Sequence, residues 1–161
     1  MRFFEEGVGL PPFERVVREH GPRVLAVCRA RLDPADVDDA WSETFLAALR
    51  AWPDLPVDLD VRAWLVTVAG RKCTDIHRAR ARRRTDPVAQ VPESPVEAAR
   101  ADEGVWRHVA ALPDKQRAVI TYRYLGGLSY ARIVELVGGS QAAARRAAAD
   151  GLKTLREKEM R

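Results

Sequence analysis

The chain has 161 residues, with 27 Lys or Arg against 23 Asp or Glu for a net charge of +4, and 47% of it is hydrophobic. This composition excludes collagen-like, largely disordered and membrane-spanning classes, and the length admits one ordinary domain or two small helical ones. A charge of +4 names no partner by itself, so the distribution of the charge has to decide.

No stretch approaches the ~20 apolar residues that span a bilayer, and Met1 to Leu10 lacks the apolar core of a signal peptide. Both point to a cytoplasmic protein with no membrane role. Cys28 and Cys73 lie far apart, without metal-ligand or Cys-x-x-Cys spacing, and read as small buried hydrophobes in a reducing compartment.

Proline and glycine cut the chain into blocks with helical rather than alternating periodicity, which predicts an all-α fold. In the first block Phe13, Val16, Val17, Val24, Cys28 and Leu32 recur at mostly three- and four-residue steps, with Gly21-Pro22 expected to bend or break the helix. Asp33-Pro34 opens a turn. A second helix then puts Val37, Trp41, Phe45, Ala48, Leu49 and Trp52 on one face, and Pro53 ends it. After an acidic, proline-bearing loop to Asp60, a third helix begins near Val61 and aligns Trp64, Leu65, Val68, Ala69 and Ile76 before arginines take over.

From about Arg78 to Glu93 no core-forming periodicity remains, so a helix end runs into a flexible linker. Ser94-Pro95-Val96-Glu97 then supplies a capping box for a helix reaching Leu112. Three short helices follow: Asp114 to Leu125, closed by Gly126-Gly127; Ser129 to Val137, closed by Gly138-Gly139; and Ser140 to about Lys158. The expected layout is a first helical domain over 1–84, a linker over 85–93 and a four-helix domain over 94–161.

The charge is sharply sorted. Asp33, Asp36, Asp38, Asp39 and Glu43 gather at the start of the second helix without a Lys or Arg among them. Acids there gain ~0.3–1 kcal/mol each from the helix dipole, which accounts for some of them; the remainder form a solvated face or a surface for a basic partner. In the third helix Arg71, Lys72, Asp75, Arg78 and Arg82 make a stripe at three- and four-residue steps, nearly without the acids that usually balance one. Arginine favours phosphate and base recognition because its planar fork donates two parallel hydrogen bonds.

The segment from Leu128 to Gln141 has helix-turn-helix spacing, with Ile133, Leu136 and Val137 packing one helix, a Gly-Gly turn, and Ser140 capping the next. Such a unit sets Ser140, Gln141, Ala142, Arg145 and Arg146 against base edges in a major groove. Ala144, Ala148, Leu152 and Leu155 give the same helix a core side.

Asp39-Ala40-Trp41-Ser42-Glu43-Thr44-Phe45, the run from Arg62 to Asp75, Leu112-Pro113-Asp114-Lys115-Gln116-Arg117 and the run from Tyr122 to Tyr130 occur in an order and spacing that resembles the extracytoplasmic-function group of bacterial sigma factors. The resemblance extends from Phe13 to Arg156. It implies two helical domains, the first binding core RNA polymerase and opening the −10 promoter element, the second reading the −35 element. Asp39, Ser42, Glu43 and Phe45 would contact polymerase; Arg71, Lys72, His77 and Arg78 would lie along −10 DNA; Arg132, Ser140, Gln141, Arg145 and Arg146 would serve the −35 element. The family usually has glutamine at the place of Ser42 and commonly asparagine at that of Arg71. Its basic run in the recognition helix is here Ala147-Ala148-Ala149-Asp150-Gly151, which shifts promoter affinity toward the first domain and polymerase. Many relatives are held by a separate anti-sigma factor.

An enzyme is disfavoured. His20, His77 and His108 are scattered, no phosphate-binding glycine loop or nucleophile elbow occurs, and neither a metal nor a cofactor is expected. Asp39, Glu43 and Asp75 read as helix-start and salt-bridged acids rather than a nuclease metal site. The alternatives are a stand-alone helix-turn-helix regulator, which leaves the first domain unexplained, and a polymerase-interaction module with reduced −35 reading.

Overall fold

The computed structural model describes residues 9–84 and 103–161. Seven α-helices and no strand occur among them: α1 (Phe13–Arg31), α2 (Pro34–Ala51), α3 (Val61–Arg84), α4 (Glu103–Ala110), α5 (Asp114–Ile120), α6 (Tyr130–Val137) and α7 (Gln141–Glu159). The expected linker and the capping box at Ser94 lie outside the described residues.

Helices α1, α2 and α3 pack around Val16, Val24, Cys28, Ala40, Phe45, Leu65, Ala69 and Cys73. Of the bend or break expected at Gly21-Pro22, the break does not occur, and α1 continues through it. Proline removes its own N–H donor and crowds the carbonyl four residues back, and packing on α2 and α3 holds the helix through this point. Trp41 lies across this point, its Nε1 donating to the Gly21 carbonyl at 3.0 Å, and a Cβ on Gly21 would meet the indole at 3.4 Å. Trp41, Phe45, Phe13 and Trp52 continue as a chain of ring contacts, the nearest at 4.7 Å between Trp41 and Phe45. Pro53 does not end α2 abruptly, because a 3₁₀ turn at Trp52–Asp54 follows. Leu49, expected on the core face, is 50% exposed. Asp60 starts α3 by accepting from the Ala63 N–H through its carboxylate.

The second unit starts α6 with Ser129, whose hydroxyl accepts from Arg132 N, and α7 with Ser140, whose hydroxyl accepts from Ala143 N at 3.1 Å. Between them Gly138 and Gly139 take φ values of 79° and 80°, the left-handed region in which a side chain is strained. The helix expected over Asp114 to Leu125 changes pitch at Thr121, where a π turn occupies Thr121–Leu125. Gly151 is buried where α7 meets α5; a Cβ there would stand 2.3 Å from Ile120 Cδ1.

The two units dock through a face of α3 that the sequence did not single out. Leu65, Ala69 and Cys73 point into the first core, while Val66, joined by Val27 of α1, belongs to a cluster with Val119, Tyr122, Leu128, Ile133 and Leu136. At Gly70 a Cβ would lie 2.7 Å from Leu136 Cδ1. Polar contacts frame this apolar seam. Arg31 reaches Tyr122 Oη at 3.3 Å and Asp114 Oδ1 at 3.1 Å, Thr74 Oγ1 donates to the Leu136 carbonyl at 3.3 Å, and Arg23 and Arg62 both donate to the Leu125 carbonyl. The thiols of Cys28 and Cys73 face each other below this seam; their hydrogen bond pushes Cys73 up and draws Cys28 down, and burial further raises Cys73.

Candidate functional site

On α2 the acidic cluster divides into acids that pair within the protein and acids that do not. Asp33 and Asp36 pair with Arg80 of α3, at 3.4 and 2.6 Å, and the hydrogen bond that Arg80 Nε donates to Asp36 holds the Arg80 guanidinium above its ordinary range. Arg80, which lies off the stripe, thus finds its acids across the helix pair rather than along its own helix. Asp38, Asp39, Ser42 and Glu43 remain exposed. Steps of three and four from Asp39 through Ser42 and Glu43 lead to Leu46 and Leu49, which are 51% and 50% exposed. Acids followed by two bare leucines on one face suit a protein partner better than water.

Phe45 is not part of that face. It is 6% exposed and packs against Trp41 and Phe13, so its ring belongs to the core of the first unit rather than to the outward side of α2. Leu46, its neighbour, takes the outward place. Its signal in the sequence is the repeat of three- and four-residue steps from Asp39, which runs beside the apolar stripe of the core face.

On α3, Arg71 and Arg78 are exposed and Lys72 half-buried. His77 departs from this group, being turned about 120° from Arg71 at 100° per residue. It lines a cleft against the second unit, where burial and the nearby Arg31 charge lower its pKa, and its Nε2 is buried without a hydrogen-bond partner. In the docked arrangement this ring is not displayed for DNA.

At the helix-turn-helix, Ser140, Gln141, Arg145 and Arg146 are all exposed around the start of α7. The Tyr130 ring is flanked by Arg123 at 4.7 Å and Arg145 at 5.1 Å from its centroid, which orients the Arg145 guanidinium. Arg132 is exposed on α6 and pairs with Glu135 at 3.3 Å. Among the described residues no cluster of His, Cys, Asp or Glu has the makings of a metal site, and no helix is long and apolar enough to cross a membrane.

Sigma-70 region 2 matches residues 16–84 and sigma-70 region 4 matches residues 103–155. The ECF RNA polymerase sigma factor SigD of Mycobacterium tuberculosis, and its counterpart in Mycobacterium bovis, are 30% identical over 151 residues, covering 84% of this chain and 71% of theirs. This chain belongs to the ECF sigma factors. Like the family, it directs RNA polymerase to promoters and binds promoter DNA.

Other relatives agree with this sigma factor in part or in fold. The sigma factor CnrH of Cupriavidus metallidurans is 35% identical over 69 residues, 42% of this chain and 36% of its own. In structure the sigma factor matches CnrH in complex with the cytosolic domain of CnrY, with a TM-score of 0.57 at 24% identity over 90% of this chain and 85% of that one. RpoE of Bartonella quintana, in complex with the anti-sigma factor NepR, matches with a TM-score of 0.68 at 18% identity over 90% and 94%. These likenesses establish the shared fold.

Proposed function

We propose that this sigma factor binds core polymerase through the outward face of α2, with Asp39, Ser42 and Glu43 supplying polar contacts and Leu46 and Leu49 the apolar ones. The carrying observation is that face: exposed acids and exposed leucines share it, while the other apolar side of α2 is consumed by its own core. Arg71, Lys72 and Arg78 contact the −10 DNA, and His77 joins them once the two units separate. Gln141, Arg145 and Arg146 read the −35 element, with Ser140 fixing the start of α7 and Arg132 at its flank. The functional division follows the boundaries 1–84, 85–93 and 94–161.

Each unit offers few phosphate contacts and binds DNA weakly alone. Tethering through the linker and polymerase raises the effective concentration of the second contact, and binding of single-stranded bases drives opening. No step requires bond chemistry, so the protein acts without catalysis or cofactor, in the cytoplasm beside polymerase. The structural neighbours bound to NepR and CnrY support a separate anti-sigma factor as a partner here too.

Run-off transcription with purified core polymerase tests this reading. A specific start site that depends on the sigma factor supports it. Co-purification with polymerase without stimulation favours instead an interaction module with reduced −35 reading, which draws on the alanines from Ala147 to Ala149 and the exposed Asp150.

A further inference from the structure

Between the C-terminal half of α3 and the α5–α6 pair lies a cleft of about 340 Å³, a size in the range of small-ligand sites. Its walls come from both units. Arg31, Thr74, His77, Arg78 and Ala81 line one side, and Asp114, Lys115, Ala118, Leu136 and Val137 line the other. The single carboxylate, Asp114, is already held by Arg31 at 3.1 Å and Arg117 at 2.9 Å. Arg78 and Lys115 have no ion-pair partner among the described residues, and both are exposed.

We propose that this cleft binds a small phosphate monoester. Two unpaired cations match a dianion, and arginine provides the two-pronged hydrogen bonding that phosphate oxygens accept. Ala81, Ala118, Leu136 and Val137 give the cleft an apolar side that a bare ion does not use but an organic group does. Because opposite walls belong to different units, an occupant binds the docked form and not the separated one, and thereby favours docking by mass action. Where Arg78 also serves the −10 DNA, as in the function proposed above, the ligand and the promoter compete for the same guanidinium.

Calorimetric titration of the full chain with AMP, inorganic phosphate and adenosine tests the proposal independently of transcription. Expected are saturable binding of AMP at one equivalent, weaker binding of inorganic phosphate, and no binding of adenosine. Lys115→Ala weakens AMP by about tenfold, as loss of a charge-assisted contact predicts, whereas Lys153→Ala, exposed on α7 away from the cleft, leaves it unchanged. Equal binding of AMP and adenosine, absence of saturation by either phosphate compound, or equal loss in the two lysine variants overturns the proposal. Failure of run-off transcription alone counts against the promoter function and leaves the titration result standing.

Discussion

The Arg31 guanidinium holds Asp114 Oδ1 at 3.1 Å while its Nε meets the Tyr122 hydroxyl at 3.3 Å, so one side chain at the end of α1 grips two residues of the second unit. The Arg31 side chain is only 6% exposed and Asp114 is 69% exposed, which makes the contact a buried cation answered by a largely solvated anion. Burial opposes the Arg31 charge, but the two partners together raise its pKa. Tyr122 is itself fully buried, and burial pushes its phenol up to about 12. Arg31→Ala leaves the Tyr122 hydroxyl without this partner and is expected to cost about 1–3 kcal/mol. Small-angle scattering of the full chain should then show a larger radius of gyration. Arg31→Lys keeps the charge but not the fork and should fall between the two; an unchanged radius in Arg31→Ala would show that the apolar seam alone holds the units together.

Gly126 tests the seam itself. A Cβ there would lie 2.6 Å from the Tyr122 carbonyl oxygen and 2.5 Å from Val66 Cγ1, and the first of these is backbone that cannot rotate away. Gly126→Ala is expected to destabilise the protein by about 1–3 kcal/mol in urea titration, the usual penalty for overpacking. Val66→Ala removes one clash and leaves the other, so it should rescue only part of the loss.

The pH dependence of docking centres on His77. Burial, and then the Arg31 charge on α1, lower its pKa from 6.5, with Arg117 of α5 acting in the same direction and Asp114 of α5 against them. A base with a depressed pKa binds protons more readily once its surroundings open, so the docked form is favoured above pH 6.5 and loses stability as pH falls below that value. Urea midpoints of the parent should fall between pH 7.5 and 5.5, and those of His77→Gln should fall less. Parallel curves would remove His77 from the account.

Phe45 and Leu46 are neighbours with opposite expected effects. Phe45→Ala deletes a ring packed on Trp41 and Phe13 and should cost about 3–5 kcal/mol of stability. Leu46→Asp, on the exposed face, should leave the melting temperature nearly unchanged and weaken polymerase binding measured by fluorescence anisotropy. If Leu46→Asp binds polymerase as the parent does, α2 presents a different face.

Helix positions were legible because they depend on local signals. Ser129, Ser140 and Asp60 cap where a capping residue should, and the Gly138-Gly139 turn has the left-handed backbone that paired glycines suggest. Long-range choices were not. Nothing within α3 reveals that Arg80 reaches Asp33 and Asp36, because the pairing depends on how α2 crosses α3. The Val66–Gly70–Thr74 side of α3 was hidden for a related reason: a small, weakly apolar strip acquires meaning only when Leu136 and Tyr122 are laid upon it. Periodicity likewise assigned Leu49 to the core and missed Leu46, since it finds an apolar stripe without telling which edge of it is covered.

The π turn at Thr121–Leu125 ends with the Gly126 N–H returned to Thr121 and the Leu128 N–H to Tyr122, which leaves the Leu125 carbonyl to Arg23 and Arg62. Two arginines from different helices thus converge on a backbone oxygen that every residue type carries. The clasp is therefore one-sided in heredity: its acceptor is backbone and survives a change of side chain at position 125, whereas each donor is lost with its arginine, and a deletion within the turn would disarm both by rotating the acceptor away.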